Sequence, residues 1–458
     1  MTVLRSFFFL AAVPVLIVSC KAGGVRGSMP IGVFDSGTGG LTVLERILTL
    51  DAYDNTTHLP GADGIPDFEA EDFEYLADQA NMPYGVYDAQ GKADFLRRLV
   101  LDDARFLLDD RYFRTAAEAL PRGSKSPCKI IVIACNTATA YGLASVEDML
   151  KARGRGERVI GVINAGAKAA LDLLEGAGGD FAVGVLATPG TISSGAYERT
   201  LRQMAALRGV NIPVVCQSGY GFAEAVDNDP LYVDASLHSP RSAYRGPRLG
   251  TADADIKEEL LPLYNFDRDG LLYTLSGDLM TDIQLNSASN YARFNMVSLL
   301  ERYRETGLGC PLKAIILGCT HYPFELKTLQ LVIEELRSYC TDGKYPYRDL
   351  LDDDIVFIDP ARYTAAECYG VLREEGLLRK GRRARRVEAY ISVPKASLDM
   401  GYLSGEGQLS FEYKYGREAL VEDVGTRFVP FSDSNVDAGN RERIGALLPV
   451  SYKEIFAK

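Results

Sequence analysis

Four times along the chain a short apolar run ends in small polar residues and passes straight into a helix-like stretch. Residues 31–34 lead into Asp35-Ser36-Gly37-Thr38-Gly39-Gly40, and 130–134 into Cys135-Asn136-Thr137-Ala138-Thr139. Residues 182–187 lead into Thr188-Pro189-Gly190-Thr191, and 314–318 into Cys319-Thr320-His321-Tyr322-Pro323. Apolar runs without alternation read as strands buried on both faces, and a helix after each strand makes the sheet parallel. The predicted fold class is α/β, parallel sheets with helices on both faces. Every polar cluster then stands at the carboxyl end of a strand, where such sheets bind ligands.

The segments between these units are less regular. Residues 51–74 are acidic and broken by Pro60-Gly61 and Gly64-Ile65-Pro66, which predicts an inserted loop. Its Asp63, Asp67 and Glu69 lack the spacing of a calcium-binding EF-hand loop and read as a solvated surface. Residues 227–309 are polar and too long for a simple connection, so a lid or small subdomain is expected there. Residues 391–458 form a C-terminal extension of strand-like pieces with no legible role. At the other end, Arg5 precedes an apolar or small run over 6–19 that stops at Cys20. That run is short for a spanning helix and resembles a bacterial lipoprotein signal, with Cys20 as the acylated residue and 22–28 as a tether. The expected location is then a membrane-anchored lipoprotein, periplasmic or at the cell surface. A start at Met29 would give a cytoplasmic protein instead.

The chain has 458 residues, enough for about three domains, and a net charge of −12. That charge argues against a protein that wraps nucleic acid phosphates, and the five basic residues within 380–386 read as a solvated face. Apart from Cys20, seven scattered cysteines make a poor disulfide framework. With no Cys-x-x-Cys pair and three histidines, no metal site is predicted. The glycines after Asp35 lack the third glycine of a dinucleotide fingerprint and any Walker Gly-Lys-Ser/Thr, so a carboxylate suits those amides as well as a phosphate does.

Cys135 and Cys319 carry the sharper signal. Each ends an apolar strand at a helix N-terminus, where the partial positive charge favours a thiolate. A thiolate beside His321 fits a hydrolytic nucleophile. Two thiols facing each other across an anion site fit proton removal on one face and delivery on the other.

The residues resemble the glutamate racemases of the aspartate/glutamate racemase superfamily. The resemblance runs through PIGVFDSGTGGLTVL from residue 30, MPYG from 82, IIVIACNTATAYGL from 130, GVINAGAKAA from 161, GVLATPGTISSGAY from 184 and AIILGCTHYPF from 314. It implies two pseudo-symmetric α/β domains enclosing an amino acid, and cofactor-independent racemisation of glutamate, with Cys135 and Cys319 as the acid/base thiols. Asp35 would assist Cys135, His321 would assist Cys319, and Glu224, eight residues after Cys216, would be a further catalytic carboxylate. Asp35, Ser36, Tyr84, Gly85, Asn136, Thr137, Thr188, Thr191, Thr320 and His321 match positions that hold substrate. The expected division is a signal and tether over 1–28, a first domain over 29–160 with 327–390, a second over 161–326 carrying the 227–309 insertion, and the extension 391–458. Supply of peptidoglycan precursors is the expected role, and a second copy of the chain a candidate partner. The alternatives are aspartate racemisation and a lipid-anchored amino-acid-binding protein on the same scaffold.

Overall fold

In the computed structural model, residues 26–457 are described except 278, 382, 383 and 406. Cys20 and the lipoprotein-like run lie outside them. Strand β1 (Ile31–Asp35) is buried along its length and pairs in parallel with β2 (Phe73–Ala77) on one side and β3 (Ile130–Ile133) on the other. Strand β4 (Arg158–Gly161) continues beyond β3. A second, wholly parallel sheet is built from β5 (Ala182–Ala187), β6 (Val214–Ser218), β7 (Leu312–Gly318) and β8 (Leu351–Ile358), in the order β8-β7-β5-β6. The chain then returns to the first sheet with β9 (Val387–Pro394), parallel to β2, and β10 (Thr426–Pro430), antiparallel to β9. The first sheet therefore runs β10-β9-β2-β1-β3-β4. The mostly apolar β1, β3, β5 and β7 are what burial on both faces requires.

The expected boundaries shift. Helix Leu326–Ser338 buries Leu329, Val332, Ile333 and Leu336 in the core of the second unit, and β8 completes that unit's sheet. The first unit resumes only with helix Pro360–Glu374, N-capped by Asp359, whose Ala365, Cys368, Tyr369 and Leu372 enter the first core. The extension is no appendage, because β9 spans residue 391 and β10 extends the first sheet. The 227–309 segment is a subdomain rather than a lid. Its Ile256, Tyr264, Ile283 and Leu285, and Tyr291, Phe294 and Leu299 of helix Ala288–Glu305, join the second unit's apolar core.

Five helices matter for the site: α1 (Leu41–Leu48), α2 (Asn136–Arg153), α3 (Ala196–Leu207), α4 (Phe222–Val226) and α5 (Ala438–Leu447).

Candidate active site

Cys135 leaves β3 in an extended conformation and caps α2, its Sγ accepting from the Ala138 amide at 3.4 Å. Ser36 Oγ lies 3.6 Å from the same sulfur. Asp35, at the end of the neighbouring β1, accepts from the Gly40 amide at 2.7 Å, and its carboxylate also reaches the Cys135 thiol. Tyr75 of β2 fixes this loop by donating to the Gly37 carbonyl at 2.6 Å. Burial, then the Asp35 charge, pushes the Cys135 thiol up, against the pull of the Ala138 and Ser36 hydrogen bonds. Burial raises Asp35 as well, opposed by the charge of His321 and the Gly40 amide.

Cys319 follows the end of β7 in the second unit, as Cys135 follows β3 in the first. Its Sγ is 3.4 Å from His321 Nδ1. The other ring nitrogen, Nε2, is 3.0 Å from Asp227 Oδ2, and the Arg443 guanidinium holds the remaining oxygen of Asp227. Burial disfavours an imidazolium here, but Asp227 and Cys319 outweigh it and hold His321 well above its ordinary value. Burial would raise Asp227; His321 and Arg443 instead bring it down to about 2. Glu224, in the first turn of α4, is raised by burial, with His321 opposing and Asp227 and Asp229 adding to the rise.

The two half-sites meet. A Cβ on Gly39 would stand 2.6 Å from His321 Cε1 and 3.0 Å from Thr320 Oγ1, so the Asp35 loop lies directly on the Cys319 loop and only glycine fits there. Tyr197 of α3 donates to Asn136 Oδ1 at 2.7 Å, while its ring lies against Gly318 and its hydroxyl feels the charge of Cys319. Thr137 Oγ1 is 3.1 Å from Thr191 Oγ1 and 3.4 Å from Thr188 Oγ1. Gly85 and Gly190 touch backbone to backbone, since a Cβ on Gly190 would stand 2.6 Å from Gly85 Cα. Cys135 and Cys319 are each 7% exposed. They are packed, yet each belongs to a loop that faces the other unit.

Of the residues named from sequence, Asp35, Ser36, Cys135, Asn136, Thr137, Thr188, Thr191, Cys319, Thr320 and His321 gather at this interface, with Gly85 at its edge and Glu224 beyond His321. Thr188 has two tasks, since it also caps the helix Pro189–Ser193. Tyr84 stands apart. It is buried, and its hydroxyl bridges Asp78 and Asp103 at 2.6 and 2.8 Å, which leaves it no donor for a substrate. Three residues escaped the sequence reading: Tyr197, Asp227 and Arg443. Tyr197 closes the quoted GVLATPGTISSGAY stretch and could have been found there; nothing local marks the other two.

Two parallel-sheet units, each presenting a strand-end cysteine to a common interface, are the arrangement that the resemblance to the aspartate/glutamate racemase superfamily implied. The glutamate racemase of Lysinibacillus sphaericus is 29% identical over 306 residues, 67% of this chain and 74% of its own. That of Roseobacter denitrificans is 30% identical over 238 residues, 50% of this chain and 71% of its own. The chain belongs to the glutamate racemase family. Among solved structures, the glutamate racemase of Francisella tularensis in complex with D-glutamate aligns at 20% identity with a TM-score of 0.44, covering 86% of this chain and 95% of its own. No family model matches the chain.

Proposed function

We infer that the protein interconverts L- and D-glutamate by moving the Cα proton between two thiols, Cys135 and Cys319. The observation that carries this reading is the pairing of a separate proton partner with each sulfur: Asp35 beside Cys135, and His321 beside Cys319. In one direction the thiolate of one cysteine takes the Cα proton and the thiol of the other returns a proton to the opposite face. Roles reverse for the other enantiomer. The Cα proton of an amino acid is very weakly acidic, so the charge that develops on the α-carboxylate must meet donors already in place. The amides of the Ser36 and Asn136-Thr137 turns and the hydroxyls of Thr137 and Thr320 are suited to that task. Glu224, whose charge is felt by His321 in the same half-site, is the further catalytic carboxylate of this reading. Opposed bases permit inversion with little movement of the substrate.

Chiral chromatography after incubation with L-glutamate, and in parallel L-aspartate, tests the reading. D-Glutamate formation supports it; D-aspartate alone reassigns the substrate, and neither product leaves a binding protein.

D-Glutamate supply for cell-wall peptide precursors is the role that suits such an enzyme in the cytoplasm. An anchor at Cys20 would direct it to amino acids outside the inner membrane. Mass spectrometry of the native N-terminal peptide separates the two, as an acylated Cys20 or a peptide starting at Met29.

A further inference from the structure

Helix α5 lies in the C-terminal segment, far along the chain from either thiol, yet it reaches the Cys319 half-site. Its Arg443 guanidinium is bound to Asp227 Oδ1 through Nη1 and to Asn440 Oδ1 of its own helix through Nη2 at 3.0 Å. Asp227 Oδ2 faces His321 Nε2 at 3.0 Å, and His321 Nδ1 faces Cys319 Sγ at 3.4 Å. The two oxygens of one carboxylate are thus divided, one to the arginine and one to the imidazole. Asp227 sits where the chain leaves α4, a helix of five residues, and its side chain gains a second anchor from the arginine. Around a narrow recess beside His321, Arg443 and Leu447 of α5 meet Thr38 and Gly39 of the first unit.

We propose that Arg443 is a positioning residue for the reaction: by holding one oxygen of Asp227 it fixes the other against His321, and so fixes the imidazole that serves Cys319. The inference rests on the reading of Cys319 as one of the two proton-transfer thiols. It makes the C-terminal segment part of the working site. The charged and titratable groups that face His321 are Asp227 and Glu224 at α4, Cys319 on its own loop and Asp35 at the end of β1, with Arg443 behind Asp227.

The test compares Arg443→Met, Arg443→Lys, Asp227→Asn and the double variant Arg443→Met/Asp227→Asn in the full chain. It follows kcat/KM for L-glutamate across pH, with thermal melts alongside. A misplaced catalytic group costs on the order of 10- to 100-fold, and Arg443→Met is expected in that range. Asp227→Asn should move the His321-dependent limb to lower pH, because the imidazolium loses its anionic neighbour, and Arg443→Met should displace the same limb, because Asp227 is no longer held. Arg443→Lys should recover part of the loss. The double variant should be no worse than Asp227→Asn, since both changes break one chain of contacts. A pH profile that superimposes on the wild type, losses that multiply in the double variant, or a loss that only follows the melting temperature would overturn the proposal. If the wild-type chain does not racemise glutamate, the functional reading fails. If it racemises and Arg443→Met equals it, only this inference fails.

Discussion

Asp35, buried, and Asp227, partly exposed, each stand beside a thiol-bearing loop, yet their surroundings push them in opposite directions. Asp35 has backbone and thiol neighbours and is raised by burial; Asp227 has a cation on each oxygen and is held near 2. For Asp227, a folded-state value below the ordinary 3.8 means stability that is present above that value and lost as pH falls through about 2. For His321 the sign is reversed: its raised value gives stability present below the ordinary 6.5 and lost as pH rises through the folded-state value. Asp227→Asn should therefore destabilise the protein by ~2 kcal/mol at mildly acidic pH, the usual worth of a charge-assisted contact, and by much less near pH 2. Urea unfolding at the two pH values checks this; an equal difference at both would mean the contact is not ionic. Asp35→Asn carries a second expectation. It removes the charge that helps raise Cys135 while leaving an acceptor for the Gly40 amide. Cys135 should then be alkylated faster at neutral pH, read by mass spectrometry of its peptide; an unchanged rate would remove Asp35 from the account. At this scale the sequence was informative wherever chemistry and motif coincide, as in Asp35, Cys135, Cys319 and His321. It gave no sign of where the Tyr84 hydroxyl goes, because the two carboxylates that claim it come from Asp78, six residues back, and Asp103, nineteen residues on.

The element that decides whether the half-sites meet is the turn, not the strand. Gly85 and Gly190 allow two loops from different units to touch, and a methyl group on Gly190 would come within 2.7 Å of the Gly85 carbonyl oxygen. Gly190→Ala should push the loops apart by a fraction of an ångström and lower kcat/KM ~10-fold or more, with a small change in melting temperature. Full activity in that variant would show that the contact is dispensable. β1, β3, β5 and β7 were legible because each is a mostly apolar run, whereas β2, with Glu74 inside it and its first two residues within the stretch read as a loop, was not. Strand β8 was not either, since Asp352, Asp353 and Asp354 at its start look like a loop, and the apolar face of the preceding helix, Leu326–Ser338, fits either core. Strand β10 pairs antiparallel at a sheet edge. Such an edge pairing has no local signature, so the C-terminal segment read only as strand-like pieces.

The whole molecule is two parallel-sheet units clasped by a C-terminal segment that touches the site from two sides. On one side Lys414 and Tyr415 hold the carbonyls of Met82 and Pro83, and Arg417 donates to Asn81 Oδ1 at 2.6 Å. On the other, Arg443 holds Asp227, 216 residues away in sequence. Separations of that size are why this layer of the site could not be read from the chain, whereas the two cysteine motifs, each complete within a few residues, could. The central claim belongs to this scale: one thiol from each unit acts on one glutamate. Because the enantiomers have equal free energy in water, the equilibrium constant is unity, and any variant must lose kcat/KM equally in both directions. The most direct measurement is racemisation of L- and D-glutamate in heavy water by wild type, Cys135→Ser and Cys319→Ser, followed by chiral chromatography and by loss of the Cα proton signal. Wild type should place deuterium at Cα of the product, and each serine variant should fall ~10²- to 10⁴-fold in both directions, the usual contribution of a positioned acid or base. Either serine variant racemising at the wild-type rate would contradict the two-thiol account.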